Sequence, residues 1–235
     1  MSVVELEDIP REESRDLESQ LWSLLGSGDN LQCPLHEGCK VRLEGNLCPS
    51  EVHVTLKEIL DTSGSSTCNY HWVKHIGHGK IGELIEALAN RFLDKAKIYS
   101  PPVPDKLALM VNNQHPVEVR LIQLNTLHGA SWRLNDRWVI YLNSKHERAC
   151  RRFTLFHEAF HILAHSRIVS YSPGKLPERG PFFETTANSF AFYILTPATW
   201  VKKHWQKTPG IDKLAAVFDV PKRAMCIRLK YLGLI

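Results

Sequence analysis

The segment HEAFH, residues 157–161, constrains this chain most. Two histidines four residues apart lie one turn apart on a helix, so both imidazoles face the same way and reach one ion. The glutamate between them is displaced around the helix, where it meets a metal-bound water and not the metal. The flanking residues give the helix its other face. Phe153, Phe156, Phe160 and Leu163 form an apolar stripe, while His157, Glu158, His161 and His165 occupy the remaining arc. The helix therefore has no need of histidine for burial, and the pattern points to zinc with His157 and His161 as ligands and Glu158 as general base.

A catalytic zinc site takes a third protein ligand and keeps one position open. Glu184 is the first candidate. It opens a second helical pattern, ETTANSFAFYIL, with Ala187, Phe190, Ala191 and Ile194 as its stripe and Asn188 one turn after Glu184. The small residues Ala187 and Ala191 let the two helices approach closely. His165, Glu178 and the upstream histidines are the other candidates, although a straight helix does not wrap His165 around an ion already held by His157 and His161. A developing oxyanion needs a further donor, for which His165, Asn188 and Tyr193 are available. Asn188 has two other readings, as a partner that orients Glu184 and as a cap or inter-helix hydrogen bond.

These residues resemble the ImmA/IrrE metallopeptidases. The resemblance is carried by RRFTLFHEAFHILAH followed by ETTANSFAFYILTP, and it extends through PPVP at 101–104, RWVIYLN at 137–143 and the tail LAAVFDVPKRAMCIRLKYLGLI, about residues 80–235. Phe156 and Phe160 stand where small or aliphatic residues are more usual, which leaves the ligand positions intact. The resemblance implies His157, His161 and Glu184 as metal ligands, Glu158 as catalytic base and a three-stranded sheet with helices. It also implies a protein substrate, often a helix-turn-helix repressor cut at one bond. A toxin within a toxin–antitoxin pair is a further enzymatic variant. The competing class is a non-catalytic regulator, a metal-stabilised scaffold that binds protein or DNA. Glu158 favours the enzyme, because a structural site has no use for a base on its open side. Two histidines and a glutamate suit zinc, without excluding manganese.

The periodicities together with the resemblance imply an α+β fold: a zincin-type core of the HExxH helix and the Glu184 helix with a small three-stranded sheet, a Cys-rich front and a C-terminal helical hairpin. Helices are expected at 80–97, 148–165, 184–195, 212–218 and 222–231, with a short one from Pro104 to about Val111. Strands are expected over Val117–Leu121, Ser131–Leu134 and Trp138–Leu142, the last two joined at Asn135–Asp136. Domain boundaries fall near 79 and 207. Within residues 1–79, helical runs are expected at 12–25 and 52–60. Cys33, Cys39, Cys48 and Cys68, interleaved with His36, His71, His75 and His78, form a segment with little apolar periodicity, for which a second, structural zinc is one reading and scattered thiols the other. Cys150 and Cys226 read as packing residues.

At 235 residues and 43% hydrophobic, the chain can bury a real core, and its net charge of +4 does not by itself imply nucleic acid. The tail reads helix, turn, helix with Lys222, Arg223, Arg228 and Lys230. DNA binding is possible there but is not favoured over packing or substrate docking, since Leu214, Val217, Phe218, Val220, Met225, Ile227 and Leu229 call for burial. The acidic opening lacks a secretory pattern and the longest apolar run is too short for a bilayer, so a cytoplasmic protein without membrane contact is expected.

Overall fold

The structure, a computed structural model, describes residues 79–112, 114–171 and 181–235. The expected helices at 12–25 and 52–60 and the cysteine-rich segment lie outside the described residues.

Helix α1, Gly79–Lys95, follows from its apolar spacing, with Leu84, Ile85, Leu88, Ala89 and Leu93 buried on one side. It stops at a left-handed Lys97, and the Ile98 N–H returns to the Leu93 carbonyl at 2.9 Å. A 3-10 helix, Asp105–Met110, takes the place of the short helix expected after Pro104.

Three strands follow: β1 Val117–Ile122, β2 Gly129–Leu134 and β3 Arg137–Asn143. The sheet order is β1-β3-β2, with β1 parallel and β2 antiparallel to β3. Asn135, left-handed in the β2–β3 turn, lets the chain reverse in two residues. One sheet face carries Trp138, Ile140 and Leu142 into the core, joined by Val117 and Val119. The alternation read in β1 fades at Leu121, which is exposed at the end of the strand.

Helix α2, Arg148–Tyr171, packs on β2 and β3, and α3, Pro181–Leu195, lies between α2 and α1. The sheet and α3 enclose α2, so Glu158 and His161 on its polar arc are buried as well as its phenylalanines. Beyond its first turn, helix α3 is buried on nearly every side, with Thr186, Asn188 and Ser189 inside along with its apolar residues.

The helix expected over 184–195 is followed by Pro197. The structure starts a further helix there, α4 Ala198–Lys207, with Pro197 as its N-cap. One stop and one start share the proline, because its missing N–H and its ring end α3 while its fixed φ is compatible with the entry to α4. Helices α5, Ile211–Phe218, and α6, Lys222–Tyr231, form the C-terminal hairpin. Leu214, Phe218, Val220, Met225, Ile227 and Leu229 belong to the same hydrophobic cluster as the sheet and α2. Val217, expected inside, is 40% exposed.

Two buried arginines tie this hairpin to the rest. Arg152 of α2 reaches Asp105 at 2.6 Å, Asp219 at 3.2 Å and the carbonyls of Val103, Phe218 and Asp219. Arg228 of α6, read from sequence as part of a basic surface, has no exposed area at all. It pairs with Glu86 of α1, donates to the Thr196 carbonyl at 2.9 Å and lies against the rings of Phe192, Tyr193 and Tyr231. Lys222 is paired with Asp212 at 2.7 Å. The hairpin thus offers less free positive charge than its sequence counts. No described helix is long and apolar enough to cross a membrane.

Candidate metal centre

Helices α2 and α3 place three donor groups around one point. His157 and His161 are successive turns of α2, and Glu184 stands in the first turn of α3. Their ligand atoms all lie within 4.8 Å of one another. The two Nε2 atoms are 3.1 Å apart, and each is 3.3 Å from a Glu184 carboxylate oxygen. A tetrahedral ion with bonds of about 2.0–2.1 Å sets its ligand atoms about 3.3 Å apart, so this donor set fits zinc in spacing as well as in chemistry. Without a cation, two imidazole nitrogens would face each other across 3.1 Å with at most a shared proton between them.

Asn188 sets which nitrogen of His157 points inward. Its Oδ1 lies 2.8 Å from His157 Nδ1, so Nδ1–H donates to the amide and Nε2 presents its lone pair to the centre. Among the readings open for Asn188, the structure shows an inter-helix hydrogen bond made to His157 and not to Glu184. His161 is held by packing: its ring stacks on Phe183 at 5.5 Å, and its buried Nδ1 has no hydrogen-bond partner among the described residues.

The electrostatics are those of a tightly coupled cluster. Burial works against a proton on His157, but the Glu184 hydrogen bond and the Glu158 and Glu184 charges outweigh it and raise its affinity for one. Burial, reinforced by His157, leaves His161 below the usual histidine range despite Glu184. Glu184 is held far below the ordinary carboxylate range: burial opposes this, and the two histidines overcome it. The centre thus combines a firmly anionic carboxylate with two imidazoles competing for one positive charge, which a divalent cation satisfies.

Glu158 lies beside the cluster, 5% exposed, and its Oε2 accepts a 2.7 Å hydrogen bond from Ser131 of β2. Sequence reasoning missed Ser131. A lone serine 27 residues upstream on a strand carries no local signal, and only the packing of β2 on α2 brings the two together. His165 is a turn beyond His161 with its ring 5.1 Å from that of Trp138. Burial, with Arg133 nearby, disfavours its protonated form. Tyr193 sits nine residues after Glu184, about 13 Å further along the helix axis, with its ring between Phe192, Tyr231 and the Arg228 guanidinium. It serves the core at that end. Cys33, Cys39, Cys48, Cys68, His36 and His71, as well as Glu178, lie outside the described residues. Cys150 is buried and Cys226 half-buried, and neither is joined in a disulfide among the described residues.

A solved structure of a Mycobacterium tuberculosis transcriptional regulator is similar at 19% identity and a TM-score of 0.46. The match covers 62% of this chain and 46% of the regulator, so the chain spans less than half of that protein's length. No curated protein matches the chain. The model of the peptidase M78 family, described as the IrrE N-terminal-like domain, matches residues 112–230, from the entry to the sheet through α6 and including all three donors and Glu158. With half of its length covered by that match, its α+β architecture and its His-His-Glu cluster, this chain belongs to the IrrE N-terminal-like domain family of M78 peptidases.

Proposed function

We propose that this protein is a zinc-dependent endopeptidase. The observation that carries the reading is the convergence of His157 Nε2, His161 Nε2 and Glu184 at tetrahedral spacing, with a buried carboxylate one residue from the first ligand. His157, His161 and Glu184 would hold the ion, Asn188 would fix the His157 tautomer, and Glu158 would be the base. Zinc bound there supplies Lewis acidity, polarising a scissile carbonyl and easing deprotonation of water near neutral pH. Glu158 accepts the proton of the attacking water and delivers it to the amide nitrogen, so that the C–N bond breaks with hydroxyl on the acyl carbon and hydrogen on the amine. Burial of Glu158 keeps bulk water from competing for that proton.

The substrate we propose is a regulatory protein, a helix-turn-helix repressor in the first instance. Support for it is the resemblance of the paired motifs to the ImmA/IrrE metallopeptidases. The test is to incubate the zinc-loaded protein with the soluble proteins of its source cells and label new N-termini. The expected result is a small set of termini within DNA-binding regulators, present with wild type and lost both with Glu158→Gln and with a chelator. The same termini from wild type and Glu158→Gln would overturn the assignment of the base. No wild-type-specific termini would overturn the peptidase.

A further inference from the structure

Strand β2 and helix α2 run side by side in a fixed register, and Ser131 occupies the one position where that register meets the base. The register starts at Gly129. A Cβ there would lie 2.5 Å from Thr154 Cγ2 and 2.8 Å from the Tyr141 carbonyl oxygen, so glycine is what lets the strand come this close to the helix. Two residues along a strand advance about 6.6 Å, and four residues of helix about 6 Å, so the next inward position of β2 meets the next turn of α2. That position is Ser131, and that turn carries Glu158. Both are 5% exposed, and the hydroxyl donates to Oε2 at 2.7 Å. Ser131 is held in turn by pairing opposite Ile140 on β3, the central strand. The bond commits one carboxylate oxygen, Oε2, to the strand.

We infer that Ser131 is the positioning residue of Glu158, locking the rotamer of the base against the sheet so that its second oxygen faces the metal centre. This inference rests on the peptidase reading of that centre. A glutamate has three side-chain torsions, and an unrestrained one spreads the base over several positions, while a misplacement of about 1 Å can cost on the order of a hundredfold in rate. A serine hydroxyl suits the task because it bonds the carboxylate without adding a charge beside the cation. It also comes from the sheet, so the base is braced by an element other than its own helix.

The test uses the full chain with Ser131→Ala, Glu158→Ala and the double variant, read in two ways. The first is a double-mutant cycle on the unfolding equilibrium of the metal-free protein. A hydrogen bond to a buried charge is expected to appear as a coupling of about tenfold or more between the two sites. Additive effects overturn the contact. The second is the visible spectrum of cobalt(II) bound at the site, taken as the bands that vanish in a His157→Ala, His161→Ala variant. Ser131→Ala is expected to retain one equivalent of cobalt and shift those bands in the wild-type background, and to shift nothing further once Glu158 is alanine. Bands that Ser131→Ala leaves unmoved, or moves equally with Glu158 absent, show that it does not act through Glu158 and overturn the inference alone. A wild-type protein with no such bands overturns the metal reading and this inference with it.

Discussion

The two places where this protein buries charge are built in opposite ways. At the C-terminal hairpin, each buried arginine meets a carboxylate. Arg152 meets Asp105 and Asp219 along with three backbone carbonyls, and Arg228 meets Glu86, the Thr196 carbonyl and three aromatic faces. At the α2–α3 centre, two imidazole nitrogens and a carboxylate converge, and among the described residues no lysine or arginine is paired with that carboxylate. A buried ion pair that is complete fastens one element to another. A buried donor cluster that is incomplete asks for a cation from outside. The hairpin is therefore architecture and the centre chemistry: the arginines are sealed in, while Glu184 of the centre keeps 41% of its side chain exposed.

The contrast places the largest effects on stability at the arginines. Replacing Arg228 with alanine leaves Glu86 beside an apolar void and removes three cation–π contacts. The expected loss is about 3–5 kcal/mol, as for other buried pairs broken on one side, and Arg152→Ala is expected in the same range. Denaturant unfolding measures it. Metal content of the folded fraction should not change, and a parallel loss of zinc would blur the contrast. Asn188→Ala should act the other way round. It spares the fold but frees the His157 tautomer, and zinc affinity should weaken about 10- to 100-fold by competition with a chelating dye. Unchanged affinity would make that amide a simple inter-helix bond.

The smallest effect concerns acid. Burial, then the charge of Arg151, depress the affinity of His146 for a proton below that of a free histidine. Above pH ~6.5 the residue is neutral in both folded and unfolded chains and contributes no pH dependence. As pH falls through that value the unfolded chain takes up the proton first, so stability declines until the lower, folded-state value is passed. The ring of His128, 4.6 Å away, shares this environment. His146→Asn should flatten the decline slightly in unfolding curves between pH 7 and 5, with no effect on metal binding. An unchanged slope would assign the acid sensitivity to other groups.

Much of the fold was legible because its signals are local. The stripe of α1, the alternation and turn of β2–β3 and the hairpin α5–α6 each follow from spacing within a few residues. The donors were legible for the same reason: His157 and His161 share a helix turn, and Glu184 opens the next helical pattern. What depends on three-dimensional packing was not. Ser131 meets Glu158 through the sheet, Arg228 turns inward because Glu86 and three aromatic rings await it, and Asn188 finds His157 and not Glu184. Helix α4 was hidden by Pro197, which reads equally as an end and a beginning, and only Val201 gives it a fully buried anchor. The burial of Glu158 and His161 was likewise invisible, since the polar arc of α2 looks solvated until α3 and the sheet are placed around it.

The central claim is that the α2–α3 centre holds a metal ion, and metal content per chain tests it most directly. Purified wild type and a His157→Ala, His161→Ala double variant would be compared by elemental analysis, with unfolding curves to establish that both are folded. The account predicts that the double variant carries one equivalent of zinc less than wild type, whatever else either chain binds. Equal metal in the two folded proteins would contradict it, and the peptidase reading would fall with the ligands.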